Sequence, residues 1–252
     1  MTTKLFGNKI IRLDSITSTN VYLINLLKKG FLQEGTLVIS DNQYAGKGLD
    51  KNVWESEKGK NLTFSVVLYP DFLPAEKQFM LTKAISLAVC RFIKMYIADE
   101  HVKIKWPNDI YIKNQKVAGI LINNSIQGSQ MIYSVVGIGI NINQTVFLSD
   151  APNPVSLAIK NNKIYDLEDC LNQLCGCLDT FYYSLQKKKW KTIDKEYLTC
   201  LYQYQLPKTY YYKGKEIQAT ITGVSTFGKL QLTIISGEKI ECDLKEIGFI
   251  VQ

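Results

Sequence analysis

Lys105-Trp-Pro-Asn-Asp-Ile-Tyr-Ile-Lys-Asn-Gln-Lys-Val-Ala-Gly-Ile-Leu-Ile122 is the stretch whose reading decides the fold of this chain. Its first half sets a polar knot in an otherwise apolar region. Pro107 fixes its own φ and biases Trp106 toward an extended conformation, so the chain turns at Asn108-Asp109, two residues whose side chains suit turns. Two β-rich runs follow, Ile110–Ile112 and Val117–Ile122, separated by the polar Lys113-Asn114-Gln115-Lys116. This pattern predicts a hairpin with a four-residue loop. Gly119 interrupts the second run, and a glycine inside a strand often marks a place where a ligand or another backbone comes close.

Working outward, Val102–Lys105 reads as the strand that delivers the turn. Before it, Gln78–Ile97 carries Phe79, Leu81, Ala84, Ile85, Ala88, Val89, Phe92, Ile93 and Tyr96 at helical spacing, which predicts a helix packed on a sheet. Strands are expected at Lys9–Leu13, Thr36–Ser40 and Asn61–Tyr69, the last stopped by Pro70-Asp71. Ser18-Thr19-Asn20 precedes the apolar Val21–Leu27 and reads as a helix start, with Gly30 ending the helix; capping accounts for only one of the three residues. Between the strands, Asp41–Ser56 is a long polar loop. Its glycines permit close backbone approach, and its lysines offer charge to phosphates.

Downstream, Met131–Ile142 is an apolar strand containing Gly137-Ile-Gly139. It is not a dinucleotide fingerprint, because the third glycine, the following helix and the later acidic residue are missing. Its glycines instead let a ligand ring lie against the backbone. Asn143–Pro154, with Asp150, Pro152 and Pro154, is a loop in which Phe147 either stacks on a base or packs within the loop. Helices are predicted over Leu167–Lys189, opening at Asp166, and Thr192–Leu201. From Leu206 the pattern changes to short strands, Lys208–Tyr212, Ile217–Val224, Leu230–Ile234 and Lys239–Asp243, punctuated by Gly214, Gly223, Gly228 and Gly237. The expected class is α+β: a mixed sheet flanked by helices, followed by a small β-barrel.

Composition excludes several alternatives. The 252 residues carry a net charge of +7 and are 46% apolar, enough to fill a substantial core. The positive charge comes from scattered lysines, Arg12 and Arg91 being the only arginines, and this is not the clustered footprint of a nucleic-acid binder. Six cysteines without a CxxC pair, and a single histidine, His101, argue against structural zinc. Cys175-Gly-Cys177 falls in a helical pattern, where thiols are small core side chains. No signal-peptide pattern and no membrane-length apolar run is present, so the expected compartment is a reducing cytoplasm.

Lys105-Trp-Pro-Asn-Asp109, followed by a hairpin with Lys116 and then Ala-Gly-Ile-Leu, closely resembles the signature of biotin–protein ligases, which attach biotin to a carrier lysine through biotinyl-5′-AMP. Ser18-Thr19-Asn20, Gln43 with Ala45-Gly46-Lys47-Gly48 and Trp54, Gly137-Ile-Gly-Ile-Asn141, Pro154-Val-Ser-Leu157, Gly228-Lys-Leu and Leu244-Lys-Glu-Ile247 resemble further segments of that family in order. The match weakens after Gly48, where Leu49, Asp50, Lys51 and Asn52 replace the arginines and third glycine usual in the family's lid.

The resemblance implies a class II synthetase-like catalytic domain over residues 1–203 and an SH3-like domain over 204–252. With the pattern beginning in the first ten residues, it implies a ligase without a DNA-binding repressor segment. It places biotin against Ser18, Thr19, Asn20, Gln43, Gly46, Gly48, Lys116, Gly119, Gly137 and Gly139. It places the nucleotide against Lys47, Gly48, Leu49, Trp54, Lys105, Asn108, Asn141 and Phe147. Lys116 and Lys47 are the implied catalytic cations and Asp109 the implied Mg²⁺ ligand, with ATP, Mg²⁺ and biotin as reactants and no tightly bound prosthetic group. The implied partner is the biotin carboxyl carrier domain of a biotin-dependent carboxylase or decarboxylase, with neither DNA nor membrane, the protein being monomer or homodimer. Two alternatives stay open: a lipoate or octanoate ligase, and a biotin-binding protein with weakened or lost catalysis.

Overall fold

A computed structural model describes residues 4–49, 52–149 and 153–250. Asp50 and Lys51 of the lid, and Asp150 and Pro152 of the downstream loop, lie outside the described residues.

The N-terminal half builds a seven-stranded mixed sheet from β1 (Ile10–Ile16), β2 (Leu37–Gln43), β5 (Leu62–Leu68), β6 (Val102–Lys105), β7 (Asp109–Ile112), β8 (Gln115–Gln127) and β9 (Gln130–Ile140), with β3 (Gly46–Lys47) and β4 (Val53–Trp54) forming a separate small ribbon. The order across the sheet is β1-β2-β5-β9-β8-β7-β6; β1 and β2 run parallel and every other pair is antiparallel. Every residue of β5 is buried, because both faces of this central strand are covered. Leu62, Phe64, Val66 and Leu68 face the main core, whereas Val67 joins Leu23 of α1 (Thr19–Leu27) in a smaller cluster. The main core is completed by α2 (Phe79–Lys94), α4 (Leu167–Gln186) and α5 (Trp190–Cys200). The side chain of Asp166 caps α4 by accepting the Asp169 N–H at 2.8 Å.

The predicted elements form, with differences that matter for the site. The hairpin after Asp109 turns through two residues, Lys113 and Asn114, so Gln115 and Lys116 belong to β8 rather than to a four-residue loop. Lys113 takes the turn with φ of 55°. α1 ends at Leu27 with Lys28 as its C-cap, two residues before Gly30. The polar loop after β2 is partly ordered as the β3–β4 ribbon, tightened by Gly48 N–H donating to the Asn52 carbonyl at 2.7 Å. A short helix, α3 (Leu157–Asn161), is capped by Ser156, whose hydroxyl accepts the Ile159 N–H; one turn of helix carries too little periodicity to be read from sequence.

The C-terminal strands β10 (Pro207–Tyr212), β11 (Lys215–Val224), β12 (Leu230–Ile234), β13 (Lys239–Cys242) and β14 (Ile247–Phe249) form an antiparallel sheet in the order β13-β12-β11-β10-β14. It is fastened to the larger sheet at the Trp106 turn. Trp106 Nε1 donates to the Gly228 carbonyl at 2.8 Å, and Gly228, at φ of 88°, packs its Cα against the Phe79 ring so closely that a Cβ would collide with it. All six cysteines are free thiols, and no helix among the described residues is long and apolar enough to cross a membrane.

Candidate active site

A cavity of about 340 Å³ opens at one end of the large sheet, between the start of α1, the β3–β4 ribbon, β7–β9 and the segment after β13. At the α1 end, the sequence suggested that Ser18, Thr19 or Asn20 caps the helix. None does so by its side chain: Gln43 Oε1, from the end of β2, accepts the Thr19 N–H at 2.7 Å and the Thr19 hydroxyl at 3.0 Å. Thr19 Oγ1 also meets Ser65 Oγ at 2.9 Å. A strand side chain thus satisfies the first turn of the helix, which leaves the Ser18 hydroxyl and the Asn20 amide facing the cavity. Asn20 Nδ2 is buried without a hydrogen-bond partner, and a Cβ on Gly137 would lie 3.1 Å from it.

The glycines make the wall. Trp54, brought over the cavity by the β3–β4 ribbon, lays its indole on Gly139 and Gly119. A Cβ on Gly139 would sit 2.4 Å from Trp54 Cε2, and one on Gly119 would sit 3.1 Å from Cζ3. This puts Trp54 on the wall formed by Gly119 and Gly139. Trp54 Nε1 is itself buried and unpartnered. Opposite, Lys116 Nζ stands 2.8 Å from Asp109 Oδ1 and 5.7 Å from the centre of the Trp54 ring. The side chains of Lys116 and Asp109 are 28% and 24% exposed, so Lys116 is a cavity residue and not a solvated turn lysine. The Asn108 amide donates to the Ile120 carbonyl and fixes the turn that holds Asp109.

The structure thus brings Ser18, Thr19, Asn20, Gln43, Lys47, Gly48, Leu49, Trp54, Asn108, Asp109, Lys116, Gly119, Gly137 and Gly139 around one cavity, with Gly46 directly behind, paired to Trp54. Besides Gly46, three expected residues are not in its lining. Lys105 turns away; its ammonium meets the Tyr111 hydroxyl at 3.1 Å and lies over the Tyr111 and Phe249 rings, where burial lowers its pKa. Asn141 spends its amide on the Val155 carbonyl, and its backbone N–H on the Val117 carbonyl. Phe147 sits half-buried in the loop after β9. That loop is tied to the foot of the ribbon by Glu55, which accepts from the backbone N–H groups of Leu148 and Ser149 at 2.8 and 2.7 Å and from Gln144 at 3.1 Å.

Sequence reasoning missed Asn52, Val53, Phe64, Ser65, Pro107, Ile120, Leu121 and Ile138, and also Leu244 and Lys245. The last two come from the C-terminal sheet, and no local signal connects them to a cavity more than a hundred residues upstream. With Lys47, Lys116 and Lys245 against Asp109, the only acidic side chain of the lining among the described residues, the cavity suits an anionic ligand.

These features define a ligand-binding α+β fold with a glycine-walled, lysine-bearing cavity. Residues 12–141, just over half of the chain, match the model of the biotin/lipoate A/B protein ligase family, and the chain belongs to that family. It is 37% identical over 142 residues (56% of this chain, 43% of the relative) to the bifunctional ligase/repressor BirA of Bacillus subtilis. It is 30% identical over 206 residues (78% and 60%) to biotin–protein ligase 2 of Arabidopsis thaliana. The chain therefore spans less than two thirds of either relative. Its fold matches that of the biotin protein ligase of Aquifex aeolicus, solved in complex with biotin and ATP, with a TM-score of 0.76 over 96% of this chain and 98% of that one at 23% identity.

Proposed function

We propose that this chain activates biotin with ATP as biotinyl-5′-AMP and transfers it to one lysine of a biotin carboxyl carrier domain. The observation that carries the reading is the convergence, in one cavity, of a glycine wall under Trp54, a buried Asn20 amide without a protein partner and the Lys116–Asp109 pair. Beside Gly137, which carries no side chain, the unpaired buried donor of Asn20 calls for a polar acceptor such as a ureido carbonyl.

In the first step the biotin carboxylate oxygen attacks the α-phosphorus and pyrophosphate leaves. Both reactants are anions, so the step needs cations where charge accumulates. Lys116 supplies one at the reacting carboxylate, Lys47 one from the ribbon, and Lys245 one from the C-terminal sheet. Among the described residues no three His, Cys, Asp or Glu side chains form a metal cage. Asp109 with Asn108 fits a Mg²⁺ ion that takes most of its oxygens from water and phosphate, and such an ion would neutralise phosphate charge. In the second step the amine of the acceptor lysine attacks the acyl carbon and AMP leaves.

The reading extends to an acceptor protein as partner, a cytoplasmic setting, a monomeric or homodimeric state, and a division into residues 1–203 and 204–252. A second reading, a biotin binder with weakened catalysis, is favoured by Leu49, which lines the cavity where a cation would serve the phosphates. Exchange of pyrophosphate into ATP, run with biotin, with lipoate and without acid, decides among them. Biotin-dependent exchange, with labelling of a carrier domain at a single lysine, is the expected result. Exchange driven by lipoate, or biotin binding without exchange, would overturn it.

A further inference from the structure

At the α1 end of the cavity, Ser65 is a buried polar side chain with no part in either step of the reaction. It lies on β5 directly opposite Gly137 of β9, is 0% exposed, and lines the cavity. Its hydroxyl meets Thr19 Oγ1 at 2.9 Å, a contact in which either oxygen could be the donor. The bonds around it settle which one donates. A backbone N–H can only donate, so the Gln43 side-chain atom 2.7 Å from the Thr19 nitrogen is the carbonyl Oε1. The same oxygen stands 3.0 Å from Thr19 Oγ1, and a carbonyl can only accept, so the single hydroxyl proton of Thr19 points at Gln43. None is left for Ser65. Ser65 therefore donates its own proton to Thr19 and keeps only lone pairs for the cavity.

Asn20 supplies the complementary group. Its Nδ2 is a donor, buried and without a partner, and a Cβ built on Gly137 would lie 3.1 Å from it and 3.4 Å from Ser65 Oγ. An acceptor of fixed polarity and an unpaired donor thus converge on one glycine. An amide or urea edge, with its carbonyl beside an N–H, answers both: the oxygen accepts from Asn20 and the N–H donates to Ser65. An ester or carbonate edge answers only the donor and sets oxygen against oxygen at Ser65. In a buried site that mismatch is costly, because neither oxygen finds another partner.

We propose that Ser65 is a specificity-determining residue that accepts a ring N–H of the ligand, its polarity fixed by Thr19 and, through Thr19, by Gln43. This rests on the biotin reading, in which the ligand head is a cyclic urea. Gln43 acts as a positioning residue: by taking the Thr19 proton it turns the Ser65 proton away from the cavity.

The test measures dissociation constants on the full chain by titration calorimetry, with biotin and with the two cyclic carbamates in which one or the other ring N–H is replaced by oxygen. The wild type should bind biotin and lose about tenfold or more with at least one carbamate, the effect of one buried hydrogen bond. Ser65→Ala removes the accepting oxygen, so for one of the two carbamates that penalty should disappear. A purely structural Ser65 would instead weaken all three ligands together and leave the penalties as they are, and that result would overturn the proposal. So would a wild type that binds biotin and both carbamates alike. A wild type that binds no biotin at all would overturn the biotin reading as well, which separates the two failures. If Ser65→Ala fails to fold, Thr19→Val decides. Without the Thr19 oxygen the Ser65 proton is free to turn to the cavity, so the preference for N–H over oxygen should vanish or reverse; an unchanged preference refutes the proposal.

Discussion

Lys116 Nζ lies 2.8 Å from Asp109 Oδ1 because of one irregularity in the β7–β8 ladder. The register passes from Ile110 opposite Ala118 to Tyr111 opposite Lys116, which leaves Val117 as an extra residue. In a regular strand Lys116 would share a face with Ala118, which is buried in the core. The bulge turns the lysine onto the side of Gly119 and Asp109, where it can meet a reacting carboxylate.

Lys116→Ala should therefore depress biotin-dependent pyrophosphate exchange by about ten- to a hundredfold, the loss of a charge-assisted hydrogen bond of about 1.5–3 kcal/mol. Unfolding stability should fall by no more than about 1 kcal/mol, since the ion pair is partly solvated. The control is Lys113→Ala, at the exposed turn. Equal exchange by the two variants would remove Lys116 from the mechanism.

Gly139→Ala places a methyl group 2.4 Å from the Trp54 indole, so the ring must leave the wall. Overpacking of this kind costs about 1–3 kcal/mol, here drawn from the ribbon more than from the sheet. Calorimetry should show biotin affinity falling by at least about tenfold while circular dichroism stays native. Gly119→Ala, at 3.1 Å, should do less. If Gly139→Ala binds biotin as the wild type does, Trp54 is not part of the wall in solution.

Leu49 lines the cavity at a position where a guanidinium could fork onto phosphate oxygens. Leu49→Arg should slow dissociation of biotinyl-5′-AMP by about ten- to a hundredfold, one added charge-assisted hydrogen bond. A fluorescence chase gives the rate directly. An unchanged rate would mean that Lys47 and Lys245 already retain the intermediate.

Glu55 gives a pH dependence whose sign can be worked out. Burial pushes its carboxyl up, but the hydrogen bonds from Ser149 and Leu148 outweigh that and hold it below the usual range. A depressed folded pKa stabilises the ionised state, so the latch on the Gln144–Ser149 loop is fully present above the ordinary glutamate pKa. It is lost as the pH falls through the lower folded value. Limited proteolysis of this loop should accelerate on acidification in the wild type, whereas Glu55→Gln should be cut faster at neutral pH and show little further change. Identical profiles for the two proteins would assign the loop's order to other contacts.

Lys245→Ala should lower exchange by about tenfold, the effect of one cation removed from phosphate. Lys239→Ala, on exposed β13, should not. Loss of exchange in neither variant would make the C-terminal sheet a structural neighbour of the cavity only.

What the sequence determined by itself is what local chemistry dictates. Alternation and β-branched runs placed the strands, the 3.6-residue period placed α2 and α4, Asp166 marked its helix start, and the Trp106-Pro-Asn-Asp109 turn and the paired glycines marked the wall of a ligand site. Ser18-Thr19-Asn20 read locally as a helix start, and α1 does begin there with Ser18 at its N-cap position, but it is a side chain on another strand, Gln43, that bonds Thr19 and leaves Ser18 and Asn20 to the cavity. The tertiary structure alone decided the rest. A one-residue bulge at Val117 aims Lys116, the ribbon carries Trp54 onto Gly139, burial under Tyr111 and Phe249 removes Lys105 from the lining, and the C-terminal sheet inserts Leu244 and Lys245. Each of these depends on contacts between residues far apart in the chain, whose energies come from packing and pairing that no window of neighbouring residues contains.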